Sequence, residues 1–177
     1  MIKETLQHNS EKIVYFVRHG ESVGNAAGVF QSHTGGLSPE GMEQARALAE
    51  RFKNIPVDVI LASTTPRARE TADAIHDAIQ KPIEFSNLLV EIRNPSEIRD
   101  KLRTDKEARG IKKSIRIEDH EPAWRYSDEE NFSDRMERAG CVVEMLLGNF
   151  WGSEGFTPSS ETAADRRRKA SATRRRN

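Results

Sequence analysis

Lys12-Ile-Val-Tyr-Phe-Val-Arg-His-Gly-Glu-Ser-Val-Gly-Asn25 is the stretch whose reading decides the fold. Ile13, Val14, Tyr15, Phe16 and Val17 form a short apolar run rich in β-branched and aromatic residues, and such a run reads as a strand buried on both faces. The run stops at Arg18-His19-Gly20, a cation, an imidazole and a residue without Cβ, where the chain has to turn. In open α/β sheets ligands sit beyond the carboxyl ends of the strands. The residues placed there suit an anion.

Residues 1–11 are polar and read as a loose lead-in. The Gly-, Ser- and Asn-containing loop over 18–37 is long for a connector, which favours a functional role. Ser38-Pro39 supplies an N-cap and an N1 proline, and Met42, Ala45, Ala49 and Phe52 recur at helical spacing, so a helix is predicted over 39–53. A second buried strand follows over 57–61. Thr65-Pro66 then opens a helix with Ala68, Ala72, Ile75 and Ile79 on one face, and a short third strand occupies 83–85. The order βαβα predicts a parallel sheet with right-handed crossovers. From 95 to 130 the chain is charged and broken by Pro95, Gly110 and Pro122, which reads as a helical excursion over the sheet. A last amphipathic helix over 133–147 puts Met136, Ala139, Val143, Leu146 and Leu147 on one side.

The 177 residues fit one domain, expected over 1–150. Lysine plus arginine (28) equal aspartate plus glutamate (28), so no overall field argues for nucleic acid or an anionic membrane. The balance hides a split: residues 151–177 carry +4 and the first 150 carry −4. That basic segment, with Arg166, Arg167, Arg168, Lys169, Arg174, Arg175 and Arg176 and no apolar periodicity, is expected to be a disordered tail. Cys141 is the only cysteine, which excludes an intrachain disulfide and a thiolate metal cluster and fits a reducing compartment. The first residues hold no apolar h-region, and the most apolar stretch, near 141–151, is short and broken by Glu144. A cytoplasmic protein without a membrane partner is expected.

Four groups stand at strand ends or helix starts: Arg18 with His19, Arg67 beside the cap at Thr65-Pro66, Arg69 nearby, and Glu91 after the third strand. Guanidinium forks match phosphate oxygens, a neutral imidazole can attack phosphorus, and a carboxylic acid can protonate a leaving alcohol. The set needs no metal or other cofactor. His8, His33, His76 and His120 read as surface or structural histidines, and Arg69 and Glu70 as ordinary charge on a solvated helix face. Arg67 is different, because a cation at N2 opposes the helix dipole, and a bound anion would resolve the conflict.

With these residues in view, Phe16-Val-Arg-His-Gly-Glu-Ser-Val-Gly-Asn25 resembles the signature of the histidine phosphatase superfamily, the phosphoglycerate mutase-like proteins. Gln31, Leu37-Ser38, Gly41 and Gln44-Ala45 resemble the segment that follows the signature. Ser63-Thr-Thr-Pro-Arg67-Ala-Arg-Glu-Thr71 is similar to the second motif, and Leu89-Val-Glu91-Ile-Arg-Asn-Pro95-Ser to the segment that supplies the acid. Residues 123–132 and 137–139 look like the lid and the following helix. One Arg-His-Gly arises by chance in many chains, whereas several motifs in order over some 130 residues make a specific signal.

The resemblance implies a three-layer α/β/α fold with a mostly parallel central sheet. It implies that His19 is the nucleophile that becomes phosphohistidine, that Glu91 is the proton donor and that Arg18 and Arg67 clamp the phosphate. Asn25, Gln31 and Ser32 would line the substrate pocket. Trp124, Arg125 and Tyr126 would either touch the rest of the substrate or pack within the lid. The implied partner is a small phosphorylated metabolite, with no metal and no specific nucleic acid. Oligomeric state is left open.

Family members also carry a second histidine on a late strand ending in His-Gly, and here no histidine follows His120. The expected fold therefore lacks that strand, which family topology places beside the one carrying His19. Its loss would leave strand edges unpaired, at about 1–3 kcal/mol for each buried unsatisfied group. The change of composition after residue 148 suggests a truncated or frame-shifted member, and translating the other two frames of the DNA would test this. Hydrolysis of a phosphomonoester is the leading expectation. Phosphoglycerate mutase-type transfer, or a non-catalytic phosphate-binding relic, are the alternatives. Non-specific nucleic-acid binding through the arginine tract is a remote third class, and no aromatic residue interleaves that tract.

Overall fold

The computed structural model describes residues 12–118 and 121–150, so the expected lead-in, the basic tail, His8 and His120 lie outside the described residues. In chain order the elements are α1 (Val23–Ala26), α2 (Pro39–Phe52), β1 (Ile60–Ser63), α3 (Pro66–Ile79), β2 (Ile83–Ser86), α4 (Lys106–Glu118) and α5 (Phe132–Phe150), with 3-10 turns at Asn87–Leu89 and Ser96–Ile98. Among the described residues, no helix is long and apolar enough to cross a membrane.

The centre is one βαβ unit. β1 and β2 pair in parallel, Ile60 opposite Ile83 through Ser63 opposite Ser86, and α3 is the crossover between them. β1 starts at Ile60, three residues later than the sequence suggests, because its partner sets the register: the Ile60 N–H donates to Pro82 O at 2.9 Å, where β2 begins. α2 and α3 start where their sequences place them, although the cap read at Thr65 makes no side-chain hydrogen bond. Ser38 accepts the Gly41 N–H, and Pro39 and Pro66 occupy the first turns. α3 ends at Gln80, a left-handed residue with φ 54°, immediately before Lys81-Pro82. Ala49 and Phe52 of α2 and Ile75 of α3 form the buried core, with Leu48, Ile55, Val57, Ile60, Ala78 and Ile79 packed around it. Among the described residues the excursion holds one α-helix, α4, which packs on the Ser96–Ile98 turn and its fully buried Ile98.

Two expectations are corrected. Residues 12–20 carry no regular secondary structure, and the apolar run is exposed: Ile13 at 67% and Phe16 at 90%, with Val14, Tyr15 and Val17 also open. A strand exists only through its partner's hydrogen bonds, and among the described residues none forms a ladder with this run. Among the described residues its one ring contact is Tyr15 edge-on to Phe52, centroids 6.2 Å apart. The face expected to be buried on the last helix is likewise open at Met136, Val143 and Leu147, whereas Cys141 and the side chain of Arg138 face the protein. Both surfaces are apolar in sequence and lack an opposing layer among the described residues. For the same reason the sheet has two strands among the described residues.

Candidate active site

Arg67 is the hub. It stands at the first turn of α3, is 1% exposed, and spreads its guanidinium over three partners. Nε donates to His19 Nε2 at 3.2 Å, Nη1 to the Ser32 carbonyl at 3.2 Å, and Nη2 to Glu91 Oε2 at 3.0 Å. The clash between a cation and the positive end of a helix is therefore answered by a carboxylate and a carbonyl. Thr65 gives α3 no side-chain cap, so the N-terminal turn stays open toward these groups.

The tautomer of His19 follows from its neighbours. A guanidinium N–H can only donate, so Nε2 presents a lone pair, and Nδ1 carries the proton that it gives to Gly20 O at 2.7 Å. The loop that holds the imidazole is strapped to both helices. Gly20 N–H donates to Thr71 Oγ1 at 3.2 Å, and that hydroxyl donates to Arg67 O at 2.8 Å. Glu21 N–H donates to Gln44 Oε1 at 2.8 Å, while the Glu21 carbonyl and carboxylate accept from Ser38 N–H and Oγ–H at 2.8 and 2.7 Å. Gly20 and Gly41 allow this close approach: a Cβ on Gly20 would lie 2.4 Å from Gly41 O, and one on Gly41 1.9 Å from Glu21 O.

His19, Arg67, Glu91 and the Ser32 carbonyl are thus brought together. Arg18 is not among them: its side chain is exposed and makes no described hydrogen bond or ion pair. Asn25 and Gln31 turn to Ser22, whose hydroxyl lies 2.8 Å from Asn25 Oδ1 and 2.6 Å from Gln31 Oε1. Ser22 and Asn25 close a capping box on α1, which folds the loop over 22–37. Arg125 donates to Glu129 O and Asp134 Oδ2 at 3.0 and 2.6 Å, so in this structure it packs within its own segment.

Two readings of side chains change. Glu70 is not ordinary surface charge, since its carboxylate accepts the Leu37 N–H at 2.6 Å and fixes the end of that loop. His33, read as structural, lies at the site. It lines a cavity of about 490 Å³ with Thr64, Thr65, Asn87, Val90, Glu91, Arg93, Glu130 and Arg138. Its Nδ1 is buried without a described partner. Burial, then the guanidiniums of Arg67, Arg93 and Arg99, hold its imidazole below the usual histidine range, with Glu91 acting the other way. No spacing in the sequence marked His33. Its place follows from the neighbouring Ser32 carbonyl being drawn onto Arg67.

An α/β core with an imidazole, a buried guanidinium and a carboxylate gathered at the end of a parallel strand defines a class of phosphate-handling protein. The model of the histidine phosphatase superfamily (branch 1) matches residues 14–156, and the chain belongs to that superfamily. It is 42% identical over 82 residues to a Hydrogenobacter thermophilus protein whose name proposes a phosphoserine phosphatase, covering 46% of this chain and 40% of that one. It is 34% identical over 83 residues to the 2,3-bisphosphoglycerate-dependent phosphoglycerate mutase of Thermoplasma acidophilum, covering 46% of this chain and 42% of that one. The matches thus span about two fifths of these curated relatives. Among solved structures, Bacillus stearothermophilus YhfR superposes with a TM-score of 0.63 at 25% identity, covering 76% of this chain and 67% of that one.

Proposed function

We propose that this chain hydrolyses a small phosphomonoester through a phosphohistidine on His19. His19 Nε2 attacks phosphorus, the bond from phosphorus to the ester oxygen breaks, and Glu91 as the carboxylic acid gives its proton to the departing alkoxide. Water then attacks the phosphohistidine, loses a proton to the Glu91 carboxylate and releases inorganic phosphate with His19 restored. Arg67 holds phosphoryl oxygens through the donors that now reach Glu91 and Ser32, and Arg18 completes the clamp by swinging in from solvent. Ser32 borders the substrate, and Asn25 and Gln31 hold the loop behind it through Ser22. These roles require no metal. The observation that carries the reading is the Arg67 fork, which puts the lone pair of His19 and the Glu91 carboxylate on one guanidinium.

Turnover of a chromogenic phosphomonoester by the wild type against His19→Ala tests it. Loss of turnover is expected when the nucleophile is removed. Equal rates would sink the enzymatic reading. Two observations favour the alternative, a phosphate-binding relic: Arg18 stands outside the cluster and the run that leads into His19 is exposed. Phosphate binding that depends on Arg67, without turnover, would select it. Phosphotransfer of the mutase type would instead appear as movement of phosphate between two hydroxyls.

A further inference from the structure

Glu91 has little of its own to hold it in place. Its side chain is 66% exposed and its one described contact is with Arg67, and residues 90–95 belong to no helix or strand. The backbone on either side is held instead. Arg138 of α5 donates through Nη1 to Leu88 O at 2.9 Å and Val90 O at 2.7 Å. Its Nε and Nη2 form a two-pronged pair with both oxygens of Glu130, each at 2.6 Å. The Glu130 side chain is 6% exposed, and its N–H donates to Arg93 O at 3.4 Å. The Arg138 side chain therefore grips the carbonyl just before Glu91, and the main-chain N–H of its partner Glu130 holds the carbonyl two residues after it.

We infer that Arg138, fixed by Glu130, is the positioning residue that aims Glu91 at the leaving group, an inference that rests on Glu91 being the proton donor. The geometry asks for arginine in particular. A planar fork can satisfy Glu130 along one edge and two carbonyls with the remaining nitrogen, whereas an ammonium has neither the planarity nor the span. Arg138 touches no reacting atom. Its effect reaches the chemistry through the backbone at residues 88–90.

The leaving group separates this role from a merely structural one. An aryl phosphate such as p-nitrophenyl phosphate departs as a stable phenolate and needs no proton, while an alkyl phosphate such as glycerol phosphate does. General acid catalysis contributes typically ~10²–10⁴-fold. Glu91→Gln is expected to lower kcat/KM, which reports only the transfer to His19 and not the later attack of water, by that order on the alkyl ester and by at least about tenfold less on the aryl ester. Arg138→Gln and Glu130→Gln are expected to repeat that selective loss in kcat/KM at about 10-fold or more, and Arg138→Lys to restore part of it. Thermal melts identify which variants remain folded. If Arg138→Gln fails to fold, Arg138→Lys and Glu130→Gln decide the question.

A loss that is equal on the two esters, or absent from both, overturns the inference. If Glu91→Gln discriminates between the esters and the Arg138 and Glu130 variants do not, only the positioning role falls. If Glu91→Gln does not discriminate, or the wild type turns over neither ester, the role of Glu91 falls and that of Arg138 with it.

Discussion

His33 shows how a residue with no motif around it acquires a definite electrostatic role. The groups that face it are Arg67, Arg93, Arg99 and Glu91, drawn from α3, the segment after β2 and the Ser96–Ile98 turn, and three of the four are cations. Burial first, and these cations second, make its imidazole harder to protonate in the folded protein than in the unfolded chain, where the value is about 6.5. The unfolded state then binds the extra proton, so stability rises with pH. The contribution of His33 is fully present above the unfolded value and is lost as pH falls toward and through the lowered folded value. His33→Gln removes that dependence. Melting midpoints at pH 7.5 and 5.5 should fall more steeply in the wild type than in the variant, and parallel slopes would mean that His33 is not held neutral. The sequence could identify Arg67 and Glu91 because their neighbours carry a pattern. His33 has its place only because the loop over 22–37 folds onto Arg67, and that depends on the contacts Ser22 to Gln31 and Glu70 to Leu37.

The helices were the legible elements, because caps, prolines and one-sided periodicity are local. Ser38-Pro39 and Thr65-Pro66 mark starts within a residue of those observed, and Ala49 and Phe52 pack with Ile75 as their spacing requires. What the pattern could not show is how closely α2 meets the His19 loop, since that contact is made by the backbones of Gly20 and Gly41. Gly41→Ala would drive a methyl to 1.9 Å from Glu21 O, with the C and N of the same residue at 2.8 and 2.9 Å. None of those atoms belongs to a flexible side chain, so either α2 or the loop must move. Overpacking of this kind costs about 1–3 kcal/mol, and a lowered melting midpoint with weaker phosphate binding is expected. Gly110, inside α4, is the opposite case, for its Cβ would meet nothing within 4 Å. Gly110→Ala should raise stability by about 0.5–1 kcal/mol through helix propensity alone. Denaturant melts of the two variants should move in opposite directions, and a neutral Gly41→Ala would show that the close approach is not required.

For the whole molecule, the decisive quantity is the apolar surface that the two-stranded sheet leaves open. The run over 13–17 was readable as apolar and β-prone, but a strand is a property of a pair, and no periodicity states which segment supplies the other half. The open face of α5 at Met136, Val143 and Leu147 has the same origin, a helix patterned for a neighbour it does not meet among the described residues. Contiguous apolar surface of this kind drives association, and an exposed strand-forming run can pair with a copy of itself. The chain in isolation should therefore bind a hydrophobic dye and sediment with a mass that rises with concentration. Replacing Phe16, the most exposed of these side chains at 90%, by serine should weaken both signals. The variant should leave the melting midpoint within about 0.5 kcal/mol of the wild type, since an open side chain contributes little to the fold. If instead Phe16→Ser lowers stability by about 1.5–3 kcal/mol, as loss of a buried aromatic would, the run is covered in solution, and the sheet extends to the strand that carries His19.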